Sequence, residues 1–117
     1  TVFGRRRYVS AIREKNKIVF ESAKRLTINT PIQGTSAEVI KLAMIEIDKK
    51  LTKKKLETKM LLQIHDELIF ECSEKDNEYA KKKIKDAMGS ISSSDYHMFS
   101  IPLNVSINSG YNWGEAH

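Results

Sequence analysis

His65, Asp66 and Glu67 stand together in the middle of "MLLQIHDELIFEC" (Met60 to Cys72), an otherwise apolar run. A carboxylate pair beside an imidazole can ligate a hard cation, move a proton, or simply solvate a turn. If the two apolar halves pair as strands, the turn falls on or beside His65-Asp66. Neither residue is the glycine that two-residue hairpins prefer, although Asp tolerates a positive φ better than most. A turn that merely needs polar residues would account for one charged side chain; three together weaken that reading. A carboxylate raised on a rigid hairpin tip suits metal-assisted phosphoryl transfer, because the ligand must be held to a fraction of an ångström. His ahead of Asp also fits metal-dependent phosphohydrolases. Those need further His and Asp ligands, and His97 and His117 are the only other histidines.

The elements that must position this triplet are legible on either side. Phe3, Tyr8 and Val9 around Gly4 and Arg5-Arg6-Arg7 suggest a short strand or edge segment. Val19 to Asn29 has helical spacing, with Val19, Phe20, Ala23, Leu26 and Thr27 along one side, and Pro31 is expected to stop it. "QGT" reads as a tight break. Thr35-Ser36-Ala37-Glu38 then fits a capping box and predicts the start of a second helix. Val39, Ile40, Leu42, Ala43, Met44, Ile45, Ile47 and Leu51 give that helix a wide apolar surface, so it should be central and buried. The run "KKLTKKKLETK", with Lys49, Lys50, Lys53, Lys54 and Lys55, reads as a solvated helix end that complements the dipole. Ser73-Glu74-Lys75-Asp76 is another cap-like tetrad, followed by Ala80, Ile84, Ala87, Met88 and Ile91 at helical spacing. "GSISSSD" reads as a loop. Ile101, Leu103, Val105 and Ile107 alternate with polar residues, the pattern of a half-buried strand. The sum is an α+β fold, with helices packed on a small, mainly antiparallel sheet.

Composition bounds the function. The chain has 117 residues, one domain's worth or less, with 40% hydrophobic and 30% charged residues and a formal charge of +5. That moderate excess favours an acidic or nucleic-acid partner. The single cysteine, Cys72, excludes an internal disulfide framework and suits a reducing, intracellular compartment; on its apolar strand it is expected to pack in the core. No apolar stretch approaches the roughly 20 residues of a membrane span, and no signal-like segment opens the chain. Its abrupt start at "TVFGRRRYV" is expected of a fragment.

"LLQIHDELIFE" closely resembles the motif C hairpin of family A DNA polymerases, the bacterial DNA polymerase I type. The resemblance continues through "FGRRRYV", "AKRLTINTPIQGTSAEVIKLAMIEID" and "IPLNVSINSGYNWGEAH", the last similar to the family's C-terminus. It implies the C-terminal part of the palm in a right-hand polymerase fold, residues 1–117 forming a single fragment with a little of the fingers boundary. It implies, further, that Asp66 is one of two aspartates holding catalytic Mg2+ ions about 4 Å apart. Glu67 would support it, His65 would lie near the primer terminus, and Arg25, Asn29 and Gln33 would line the cleft for primer and template. Arg25 and Asn29, four apart, share a helical face, and Arg with two amides can hydrogen-bond minor-groove acceptors that vary little between base pairs. Without the resemblance, the alternative is Asn29 as a helix C-cap and Gln33 as a turn residue.

Lesser features stay open. Arg5, Arg6 and Arg7 could contact phosphates or form a basic edge strand. Tyr111 and Trp113 could stack on a base, though packing of the tail in the core is the expected role. His117 matches the terminal residue of some family members and is given no role. The motif A aspartate segment, the nucleotide-gripping fingers helix, the thumb and any exonuclease are absent from this sequence. The expected partners are primer-template DNA, deoxynucleoside triphosphates gripped by other parts, and the rest of a parent polymerase chain, with no membrane. The isolated chain should be inactive or nearly so; a non-catalytic basic nucleic-acid-binding module is the alternative.

Overall fold

Ile40, Ala43, Ile47 and Leu51 recur at helical spacing, and all four are buried. They lie on α1 (Lys17–Thr52), a single helix of 36 residues. The computed structural model describes residues 1–53, 56–93, 99 and 102–117. Two compact units, Thr1–Ile40 and Lys41–His117, are distinguished, and α1 contributes to each.

In the first unit α1 opens where the Asn16 side chain accepts from the backbone N–H of Ile18 at 3.0 Å, an N-cap contact. The helix continues through Pro31 and Gly34. This corrects the expectation of two helices separated at "QGT". Proline inside a helix removes one hydrogen bond and costs about 3 kcal/mol. The burial of Ala23 before it, and of Thr35 and Ile40 after it, anchors both flanks. Hydroxyls of Thr27 and Thr30 donate to the Ala23 and Leu26 carbonyls, at 2.9 and 2.7 Å, adding side-chain bonds beside the interrupted ladder. Thr35 and Glu38 are no capping box. The Thr35 hydroxyl accepts from the backbone N–H of Val2 (3.1 Å), and Glu38 pairs with Arg5 (3.0 Å).

Those two contacts fasten the first residues onto the helix. Thr1 to Arg7 contain a turn rather than the expected strand, with Gly4 at φ 87° and its N–H donating to the Thr1 carbonyl. Bonds to α1 side chains take the place of a strand ladder. Gly34 is needed for the approach, since a Cβ there would lie 2.6 Å from the Thr1 methyl. A single turn of 3-10 helix covers Ser10–Arg13.

The second unit is built on the antiparallel hairpin β1 (Thr58–Ile64) and β2 (Glu67–Cys72). A 3-10 turn at Glu74–Asp76, tied by the Ser73 hydroxyl to Asp76 (2.8 Å), leads into α2 (Asn77–Ser93). Ala80, Ile84, Ala87 and Ile91 of α2 are buried, as their spacing requires. Ile47, Leu51, Ala80, Ile84 and Ala87 form the core, with Met60, Leu68, Phe70 and Cys72 of the hairpin packed against it. Each large aliphatic side chain fully buried there contributes about 1.5–3 kcal/mol.

The expected loop "GSISSSD" is in part helical. α2 runs on to Ser93 because Ile91 is fully buried and the Ser90 and Ser92 hydroxyls donate to carbonyls one turn back. Residues 94 and 95 of that stretch, Lys54, Lys55, His97 and Ile101 lie outside the described residues. Leu103, Val105 and Ile107 keep the predicted alternation of half-buried and exposed positions. Among the described residues they join no ladder, so the expected third strand does not form there, and Ile107 packs against the core. Alternation fixes faces; a strand also needs a neighbour to bond. The tail ends in the short helix α3 (Trp113–Ala116), capped by Asn112, whose side chain accepts from the Glu115 N–H at 3.1 Å. Tyr111 and Trp113 are exposed here, 86% and 52%, rather than packed in the core as expected. Among the described residues no helix is long and apolar enough to cross a membrane.

Candidate active site and nucleic-acid interface

Ile64 pairs with Glu67 as the last rung of the hairpin, so His65 and Asp66 alone form the loop. Two-residue loops match the strand twist only with a positive φ, which glycine and asparagine supply most easily. Here His65 takes φ 52°, the one non-glycine residue with positive φ among the described residues. His is among the side chains enriched in that region. The Gln63 amide donates to the His65 carbonyl at 3.2 Å and steadies the turn. Asp66 follows at the apex, exposed, and makes no hydrogen bond or ion pair among the described residues. Its oxygens are open to a cation.

A bulge sets what lies beneath. Met60 pairs with Phe70 and Leu62 with Ile69, leaving Leu61 unpaired. Thr58 and Met60 therefore face the core with Leu68, Phe70 and Cys72, while Leu62 and Ile64 share the opposite face with Ile69. That is why the run is apolar at consecutive positions instead of alternating.

Glu67, next to Asp66, has a neighbour that sequence spacing gave no sign of. The His117 Nδ1 lies 3.7 Å from Glu67 Oε1, both side chains half exposed or more. That distance is too long for a hydrogen bond. Among the described residues no three His, Cys, Asp or Glu side chains converge as a metal site. Asp66 and Glu67 nonetheless offer the hard oxygen donors that Mg2+ requires.

In the first unit, the unbroken helix puts Arg25, Asn29 and Gln33 in one row at intervals of four, about 6 Å apart along the axis. All three are exposed and without partners among the described residues. Asn29 is thus no C-cap and Gln33 no turn residue; both sit inside α1. A guanidinium and two amides projecting from a rigid rod can donate to a succession of acceptors. The hairpin triplet and this row are each assembled within their own unit.

Comparison with known proteins gives the family. Residues 1–115 match the family model "DNA polymerase family A". DNA polymerase I of Mycobacterium leprae is 43% identical over 99% of this chain, and that of Bacillus subtilis 39% identical over 99%. The POL domain of Pol1 from M. smegmatis, solved with DNA primer-template and dNTP, superposes with a TM-score of 0.90 over 99% of the chain at 39% identity. The chain spans 12–13% of the length of those two curated relatives and 20% of that solved chain. The chain belongs to DNA polymerase family A.

Proposed function

We propose that this chain is the C-terminal palm segment of a DNA-directed DNA polymerase that adds deoxynucleotides to a primer 3′-end. The observation that carries the proposal is the unpartnered Asp66 carboxylate at the tip of a rigid two-residue turn, in a chain of this family. Asp66 holds one side of a divalent-cation site, and the remaining carboxylates come from other parts of the parent. Bound there, two Mg2+ ions would activate the primer 3′-hydroxyl and offset charge on the leaving pyrophosphate. Glu67, with His117 beside it, shapes the field around Asp66. His65 meets the primer terminus. Arg25, Asn29 and Gln33 donate to minor-groove acceptors common to all base pairs, which orients any correctly paired duplex without reading its sequence.

The test is primer extension with Mg2+ by the parent polymerase and its Asp66→Asn variant, with duplex affinity measured for both. A rate loss of several powers of ten with binding retained is expected, since asparagine keeps the shape and removes the charge. Near-normal extension would remove Asp66 from the metal site. Duplex binding without extension by the unmodified protein would favour a non-catalytic binding module.

A further inference from the structure

The sequence offers Arg5, Arg6 and Arg7 without saying which of them has a structural task. The structure divides them. Arg5 is tethered, its Nε 3.0 Å from Glu38 Oε1, and its backbone N–H donates to the Thr1 hydroxyl at 3.1 Å. That ion pair engages Oε1 of the Glu38 carboxylate, which is mostly buried, at 12% side-chain exposure; its buried Oε2 has no hydrogen-bond partner among the described residues. Arg6 and Arg7 are exposed and have no hydrogen-bond or ion-pair partner among the described residues. Yet their backbone is fixed, by the bonds of Val2 to Thr35 and of Gly4 to Thr1 as well as through Arg5. Two free guanidiniums thus stand on an anchored segment.

They border a concave site. Arg5, Arg6 and Arg7 line a cleft of about 180 Å³ together with Thr30, Gln33 and Gly34 of α1. Among the described residues no carboxylate lines it. Gln33 belongs at the same time to the row with Arg25 and Asn29, so the cleft continues the surface assigned above to the duplex. A guanidinium fork matches a phosphate's oxygens, and arginine loses little freedom in forming the contact when its backbone is already held.

We propose that Arg6 and Arg7 clamp one backbone phosphate of a nucleic-acid strand in this cleft, at the end of the Gln33 row. The proposal rests on the polymerase reading for the identity of the strand. The clamp adds affinity without sequence preference and fixes the strand's register against the amide row.

The experiment uses the parent polymerase, its R6Q/R7Q variant and the charge-keeping R6K/R7K variant. DNA affinity is measured against salt, with a series of primer-templates each neutralised at one phosphate by methylphosphonate. R6Q/R7Q should raise Kd roughly tenfold at low salt for every sequence. It should flatten the log Kd against log salt slope by about one. One methylphosphonate position should weaken the native protein and leave R6Q/R7Q unaffected. R6K/R7K should keep the slope while losing affinity, because lysine keeps the charge and lacks the fork. Should R6Q/R7Q melt early, the R6K/R7K loss decides the matter alone. Unchanged DNA affinity in both variants overturns the clamp. So does a raised KM for dNTP at constant DNA affinity, which would assign the phosphate to the nucleotide. Failure of the native enzyme to extend primers would sink the polymerase reading instead, and the affinity data would still judge the clamp.

Discussion

Replacing His65 by glycine should tighten the hairpin while harming what it carries. His65 sits at φ 52°. An L-residue in the left-handed region crowds its Cβ against the next carbonyl oxygen, at roughly 1–2 kcal/mol. Glycine escapes that crowding and gives back roughly 0.5–1 kcal/mol through the backbone entropy it loses on folding. The net gain is about 0.5–1 kcal/mol. Amide exchange along β1 and β2 in the parent polymerase reports local opening, and a gain of that size slows it about two- to fivefold. His65→Ala is the control, since it removes the imidazole but keeps the crowded Cβ, so its exchange should stay near that of the native protein. Primer extension should fall in both variants by a similar factor, because both lose the side chain proposed to meet the primer terminus. Equal exchange in the glycine and alanine variants would show that no conformational cost resides at this loop. Unimpaired extension in both would return His65 to the status of a turn residue.

Two further substitutions probe the supports around the sites. Thr35→Val removes the buried acceptor for the Val2 N–H, costing about 1–3 kcal/mol; trypsin should then cut at Arg5, Arg6 and Arg7 several times faster, and unchanged cleavage would show that the segment is held otherwise. Gly110→Ala would place a Cβ 2.5 Å from the Glu115 Cβ and 2.9 Å from its carbonyl carbon, so the Asn112–Glu115 cap should open and amide exchange at residues 111–117 accelerate by at least tenfold, roughly 1.4 kcal/mol.

The sequence carried the hairpin almost to the residue, because two apolar runs around a polar pair leave few alternatives for the turn. The buried face of α2 was equally plain from Ala80, Ile84, Ala87 and Ile91. Pro31 misled, since the local penalty it signals is smaller than the burial on both sides of it. Thr35 and Glu38 misled for a related reason. A hydroxyl and a carboxylate three apart satisfy a capping box, but they serve a neighbouring segment equally well, and only the fold decides between the two. The bulge at Leu61 left a trace in the sequence, three apolar residues in succession, that alternation rules alone do not interpret. Of the candidate sites, the Asp66 apex followed from the hairpin. The Arg25–Asn29–Gln33 row needed the helix to be unbroken, and the His117–Glu67 approach joins positions no periodicity relates.

The extra residue at Leu61 also bears on which length changes this gene can tolerate. Side chains on a strand change sides with every residue. Deleting the codon for Leu61 would restore strict pairing from Thr58 to Ile64, leaving the loop and its aspartate intact. Leu62 and Ile64 would keep the face they share with Ile69, and Gln63 would stay across from Leu68, because the bulge is what now reconciles the extra residue with that alternation. A one-codon loss at this place would be absorbed by the ladder. A one-codon gain in β1 would have no such slack, and would turn one end of the strand over against the other. In a lineage of such genes, single-codon losses should be found at this bulge before anywhere else in β1.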